Sequence, residues 1–418
     1  MIKRIIWAAT FLIFSSTVCF SQLPSTSLVQ LATLSASDGS SGTYFGVSTA
    51  ISGDTVVVGS NNANSNSGAA YVFVRPITGW GDMVQTAKLT ASDGKQGDGF
   101  GDSVSISGDT IVIGAPNHQT GTLRQGAAFV FSKPATGWHD MTETAKLTAS
   151  DEGEGDSFGQ SVAISGNTIA IGSTGNNNFQ GSAYVYLKPS TGWKTTSRFQ
   201  AKLTDNDDPN GMLGIAVSVS GNTVVAGAYN NNGAPGAAYV FVRPTSGWTS
   251  ATQTAKLTAS DGDSADLFAL NLAICGNTVL VGARNDPSNG ITAGPGAAYL
   301  FVEPPSGWID ATETAKLTAS DAVEGSGFGS SVALNDKAAV VGAAFYTVGE
   351  NQGQGAAYVF KKPLTGWQTT ALFNSKLTAV GGTANSYFGF ATSISGTTIA
   401  IGGYAANSFE GSEYVFGK

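Results

Sequence analysis

Few side chains in this sequence are equipped for active-site chemistry, and their spacing limits what they could do. His118 and His139 are the whole imidazole complement. A shared metal or proton relay would need them side by side, but they fall in connections that the repeat described below sends to opposite ends. Gly-x-Ser recurs at Gly101-Asp102-Ser103, Gly159-Gln160-Ser161 and Gly329-Ser330-Ser331, inside strand patterns and without the final glycine of a nucleophile elbow. Cys275 occupies a slot held by Ser107, Ser165, Ser220 and Ser395 in other repeats, which reads as a small buried residue rather than a nucleophile. Zinc spacing, Walker loops and dinucleotide fingerprints are absent from the sequence.

Carboxylates remain. They cluster at Asp93 and Asp98; Asp151, Glu152, Glu154 and Asp156; Asp205, Asp207 and Asp208; and Asp261, Asp263 and Asp266. Two acids from different segments could converge as a glycan-cleaving pair. The stretch Asp205-Asn206-Asp207-Asp208-Pro209-Asn210-Gly211 comes closest to a calcium loop, which makes Asp205, Asp207 and Asp208 weak candidates, but its spacing misses the EF-hand pattern. One slot carries Asp in six of seven repeats (Asp38, Asp93, Asp151, Asp207, Asp261, Asp321), and the simpler reading there is an Asx turn. No cofactor is expected, and calcium is not favoured.

A repeat must position these groups. AKLTASD occurs verbatim four times, starting at Ala87, Ala145, Ala255 and Ala315, with looser copies at Ala32, Ala201 and Ser375. Between copies run FGxSVAISGNTIAIGA, a variable loop, GAAYVFxKPxTGW and a short linker. The Phe-Gly slot (Phe45, Phe100, Phe158, Leu213, Phe268, Phe328, Phe388) returns every 55 to 60 residues, in the range of propeller blades. Each unit reads as four short strands with period-two alternation. S-G-N-T or S-G-D-T closes a tight hairpin where Gly supplies positive φ, and P-x-T-G-W reverses the chain. The fold class is all-β, a seven-bladed β-propeller of four-stranded antiparallel blades.

The strand count is permuted. The chain opens with a fourth-type strand at Val29–Ser35 and stops just after a third-type strand at 413–416. The N-terminal strand is therefore expected to complete the seventh blade and close the ring. Phe of Phe-Gly is expected to plug the core between blades while Gly permits close backbone approach. The AKLT lysines (Lys88, Lys146, Lys202, Lys256, Lys316, Lys376) fall on outermost strands, where charge would discourage edge-to-edge aggregation.

Composition agrees with a packed β protein. Of 418 residues, 55 are Gly, 41% are hydrophobic and 12% are charged, too apolar for a disordered chain and too Gly-rich for a helical one. Residues 1–21 read as a secretory signal peptide, with Lys3 and Arg4, an apolar run over 5–14, and small residues leading to Ser21. Residues 22–418 form the single expected domain, and no other run is long enough to span a bilayer. Without Lys3 and Arg4, 19 basic residues face 29 acidic ones, a net charge of −10. That balance disfavours nucleic acid and anionic membranes as partners. Cys275 is the one cysteine beyond residue 21, so no intrachain disulfide is expected.

Phe-Gly followed by Gly-Ala, repeated over nearly all of 29–416, resembles the FG-GAP repeat proteins, which include the N-terminal propeller of integrin α chains. The secreted microbial branch is the nearest likeness, and the literal Gly-Ala-Pro occurs once, at Gly114-Ala115-Pro116. The resemblance implies a propeller that binds or adheres. Integrin-type repeats often carry an Asp/Asn-rich calcium loop between the first two strands. Here that place holds Ser-Gly-Asp/Asn-Thr, or Asn335-Asp336, too few oxygen ligands for calcium.

Fourth-to-first and second-to-third connections share one end and vary in length and chemistry, whereas the turns of the other end are nearly identical. Binding is expected where loops vary on a fixed frame. The candidates are His118, Arg124, Tyr229, Asn230, Asn231, Asn232, Phe345 and Tyr346, aromatic, amide or basic groups where Gly and Ser would have sufficed. The expected function is a secreted, non-catalytic, monomeric binding or adhesion module for an extracellular protein or glycan. The alternative is an extracellular carbohydrate-active enzyme with acids at the mouth, and a third reading is the propeller of a larger adhesin.

Overall fold

The computed structural model describes residues 27–207, 209–229, 235–285 and 294–418. The signal-peptide reading, Asp208 and Asn230–Asn232 lie outside the described residues.

Seven antiparallel sheets form the blades. Blade 1 runs Ser48–Ser52, Thr55–Ser60, Ala69–Val74 and Ala87–Thr90, from the central axis outward. Its middle strands are buried almost residue by residue, as are Thr168–Ser173 and Ser182–Leu187 of blade 3. The reason is that a middle strand has a neighbouring blade on each face, so neither face can be polar. Seven apolar clusters result, each shared by two adjacent blades. Phe100, for example, packs edge-on against Phe129 within the core between blades 1 and 2. The glycines set the spacing there, since a Cβ on Gly59 would lie 2.1 Å from the carbonyl oxygen of Gly101 in the next blade.

Blade 7 consists of Ala391–Ser395, Thr398–Gly403, Ser412–Gly417 and then Val29–Ser35. Thr33 opposes Tyr414 and Leu34 opposes Glu413 in an antiparallel register. The N-terminal strand thus occupies the outer place that the permuted count reserves for it.

The outer edges are covered by backbone. Met83–Val84, in the linker of blade 1, pairs in parallel with Leu34 and Ser35 of blade 7, and Met141–Thr142 of blade 2 pairs with Leu89 and Thr90 of blade 1. Equivalent pairings or bridges cover blades 2 to 5. Only Ser375–Leu377 of blade 6 lacks such a partner among the described residues.

The AKLT lysines lie on the outer strands, as expected, and each also has a partner there. Each pairs with the recurrent Asp of the preceding blade, from Lys88–Asp38 at 2.5 Å to Lys376–Asp321 at 2.8 Å. The hydroxyls of Tyr71, Tyr184, Tyr239 and Tyr299 donate to the same carboxylates. Burial would raise these acids, but the lysine and tyrosine hydrogen bonds hold Asp38, Asp207 and Asp261 below the ordinary carboxylate value. The recurrent Asp is an inter-blade clamp, not an isolated Asx turn.

Candidate functional site

The first strands surround a central channel of about 470 Å³, lined by three consecutive residues from each of the seven blades together with Arg284. Most of the lining is Val, Ser or Ala. Asp102 is its one carboxylate and Arg284 its one cation, contributed by blades 2 and 5. Burial pushes the Asp102 carboxyl up, partly offset by a hydrogen bond from the Asn61 amide, and burial pushes the Arg284 guanidinium down. A two-carboxylate hydrolase would need a partner for Asp102.

Around the mouth, at the loop-rich end, aromatic rings form an arc. The Arg284 guanidinium lies 6.0 Å from the centre of Phe345. Phe345 meets Tyr387 edge-on at 5.6 Å, and Tyr387 stacks on Tyr404 at 5.5 Å. Tyr404 meets Tyr44 at 5.9 Å, and Tyr44 meets Phe409 at 5.9 Å. Phe390 packs against Tyr404 at 4.6 Å and continues into the channel lining. Phe345 and Phe409 are 37% and 45% exposed, large apolar surface that a core would have covered.

Three of these rings occupy costly backbone, Phe409 at φ 68° among them. The residue before Phe-Gly takes positive φ, which Gly99 and Gly327 accept freely; the other five blades place a side chain there, and in blades 1 and 7 it is Tyr44 and Tyr387, at φ 58° and 53°. A left-handed non-glycine residue costs about 1–2 kcal/mol.

The expected site residues divide. Phe345 belongs to the arc. Tyr346 turns back onto its blade, with Lys376 Nζ 3.5 Å from its ring centre, and is packing rather than a binding group. His118 is fully buried: Nδ1 lies 2.8 Å from Asp98, Nε2 points at Asp93 from 3.6 Å, and the ring packs on Phe129. Blade 2 has Phe129 where other blades have the clamp tyrosine, and the imidazole of His118 takes that place beside Asp93. It is a scaffold group, unavailable to a ligand. Arg124 is exposed, but its guanidinium donates to the carbonyls of Asn117 and Gly97. Tyr229 shares its repeat slot with Arg284 and Tyr404 and is partly buried outside the arc. Cys275 is only half-buried, and its slot explains it: Ser52, Ser107, Ser165, Ser220 and Ser395 accept the hairpin glycine N–H of the next blade, a latch Cys275 does not form.

Sequence reading overlooked Tyr44, Tyr387, Tyr404, Phe390 and Phe409. A signal was present: at each of their slots, most blades carry a smaller or non-aromatic residue. The loops also vary less than expected. Those of blades 1, 3 and 7 share one left-handed turn, built on Asn64, Asn177 and Asn407 at φ 53–54°, a conformation Asn tolerates.

For calcium, the strongest sequence candidate is already engaged. Asp207 holds Lys256 at 2.6 Å and the Tyr239 hydroxyl at 2.8 Å, and Asp205 is buried with Oδ1 accepting the Asp207 N–H. No group of three or more His, Cys, Asp or Glu among the described residues could hold a metal ion. We expect a chelator to leave the melting temperature within about 1 °C, because loss of a native-state ligand would lower it by mass action. A large fall, abolished in Asp207→Ala, would reverse this.

A family model described as FG-GAP repeat matches seven segments, residues 28–73, 83–131, 141–186, 198–241, 251–301, 311–360 and 372–416. Each segment joins the outer strand of one blade to the three inner strands of the next, the same offset as the permuted strand count. No curated protein matches the chain.

Proposed function

The chain belongs to the FG-GAP repeat family, and on that premise we propose that it is a secreted, non-catalytic binding module whose working surface is the aromatic arc at the loop-rich mouth. The arc carries the reading: six rings from four loops make a continuous chain of contacts, three of them on left-handed backbone, at slots where most blades carry a smaller or non-aromatic residue. Exposed aromatic residues on a rigid frame are the usual anchors of recognition. The family supports a binding or adhesion role. The ligand is an extracellular protein or glycan, and secretion rests on the composition of residues 1–21. No helix among the described residues is long and apolar enough to cross a membrane.

Labelled protein should be screened on combined glycan and protein arrays, with Tyr404→Ala and His139→Ala beside the wild type. His139 marks the opposite end. Tyr404→Ala should remove the signal at least tenfold while His139→Ala keeps it. The reverse pattern would place recognition on the other face.

A further inference from the structure

We propose that the groove where Phe345 and Tyr387 meet is a subsite for a neutral oligosaccharide, an inference that rests on the mouth being the working surface. The groove holds about 410 Å³ and lies between blades 6 and 7, the size of a small-molecule site. Its two rings meet at 78°, so they form a corner and not a flat platform. A pyranose fits such a corner by chemistry. Its apolar C–H face lies on the electron-rich face of one ring, and its hydroxyl rim faces the remaining wall. That wall is polar: Glu324, Gln352 and Asn385 line the groove, and among the described residues their side chains make no hydrogen bond to protein groups. One carboxylate and two amides offer acceptors and donors in the mixture that hydroxyls use.

The groove is also shaped for an open ring face. Gly327 carries no side chain where a Cβ would come within 2.6 Å of Phe345, so the phenyl ring lies down against bare backbone. Charge selects the class. Glu324 is the one charged residue that lines the groove, Arg284 beside Phe345 lies outside the lining, and the chain carries 29 acidic residues against 21 basic ones, so an acidic sugar chain meets like charge at the groove wall.

The test is titration calorimetry of the full chain with cellotetraose, chitotetraose and a tetragalacturonate. The decisive variant is Tyr387→Gly. Glycine is the residue blades 2 and 6 use at that slot, so the change relieves left-handed strain while deleting the ring. We expect a neutral probe to bind, Tyr387→Gly to weaken it at least tenfold with an unchanged or higher melting temperature, and Glu324→Gln to weaken it severalfold. Binding by the acidic probe alone, by no probe, or equally by wild type and Tyr387→Gly would overturn the assignment. So would a Tyr387→Gly protein that loses binding only because it melts lower. A subsite that fails while array binding still depends on Tyr404 leaves the mouth standing, whereas failure of both removes the surface itself.

Discussion

A protein lacking residues 22–35 should lose about 5 kcal/mol or more of stability, a large part of the roughly 5–15 kcal/mol that holds a typical domain together. Leu34 is fully buried and Ala32 nearly so, inside the core that blade 7 shares with blade 1. Burying one leucine is worth about 2–3 kcal/mol, and the strand's ladder to the last strand adds hydrogen bonds at about 1 kcal/mol each. At the interface of blades 6 and 7 the clamp is lost on both sides, with Thr33 at the lysine slot and Gly381 at the aspartate slot. What remains there is lighter: the Gln30 side chain accepts the N–H of Val380 and donates to Thr33. Removing the strand therefore bares the last strand's edge and one face of the seam at once. Thermal melting would read the loss, and a synthetic peptide covering 22–36, added in trans, should restore part of it. A truncated protein that melts at the native temperature would mean that the ring does not depend on this strand.

The frame was legible because its signals are repeated. Seven Phe-Gly slots, five of them literal, and six copies of AKLT or SKLT average out local ambiguity, and glycine at the hairpin slot states its own φ: Gly53, Gly108, Gly166, Gly221, Gly276 and Gly396 all lie near 56–58°. Function was less legible because it lives in departures from the repeat, which a consensus hides. The search for isolated reactive residues selected His118, yet its meaning depends on Phe129 eleven residues away, where the blade lacks its clamp tyrosine. Tyr346 and Phe345 are adjacent in sequence, and the backbone turns one toward Lys376 and the other toward the mouth. Lysines and aspartates separated by about fifty residues gave no local sign that they would meet across a blade boundary.

The same comparison of slots isolates Glu413. Six blades carry Ala70, Ala128, Ala183, Ala238, Ala298 or Ala357 at this place, and blade 7 alone carries a carboxylate. It is fully buried; Oε1 accepts the Thr49 hydroxyl at 2.8 Å and Oε2 has no partner. Thr49 and Thr392 stand where the other first strands carry Val104, Val162, Val217, Leu272 and Val332, so the innermost strands of blades 1 and 7 depart from the repeat together with Glu413. Burial drives the Glu413 carboxyl well above its ordinary value of 4.5, and the Thr49 hydrogen bond offsets this only in part. The folded state thus holds this proton more tightly than the unfolded state does, and the stabilisation is complete below about pH 4.5 and declines as pH rises toward the folded value. Burial likewise pushes Glu152 up to about 8, adding a loss of the same sign up to that pH. The clamp aspartates act oppositely: their lowered values cost stability only as pH falls below the ordinary carboxylate range. Between pH 5 and 8 the protein should therefore become less stable. Glu413→Ala installs the residue of the other six blades. At pH 8 it should raise stability by about 1–3 kcal/mol, the scale of a buried polar group left unsatisfied, while at pH 4.5 it should lower it by about 1 kcal/mol through the lost hydrogen bond and the space left behind. The two denaturation curves should cross with pH, and Glu413→Gln, which keeps the shape and removes the titration, should flatten the fall without the low-pH penalty. Should Glu413→Ala be destabilised by the same amount at both pH values, the carboxyl is not titrating with folding and the seam owes its stability to packing alone.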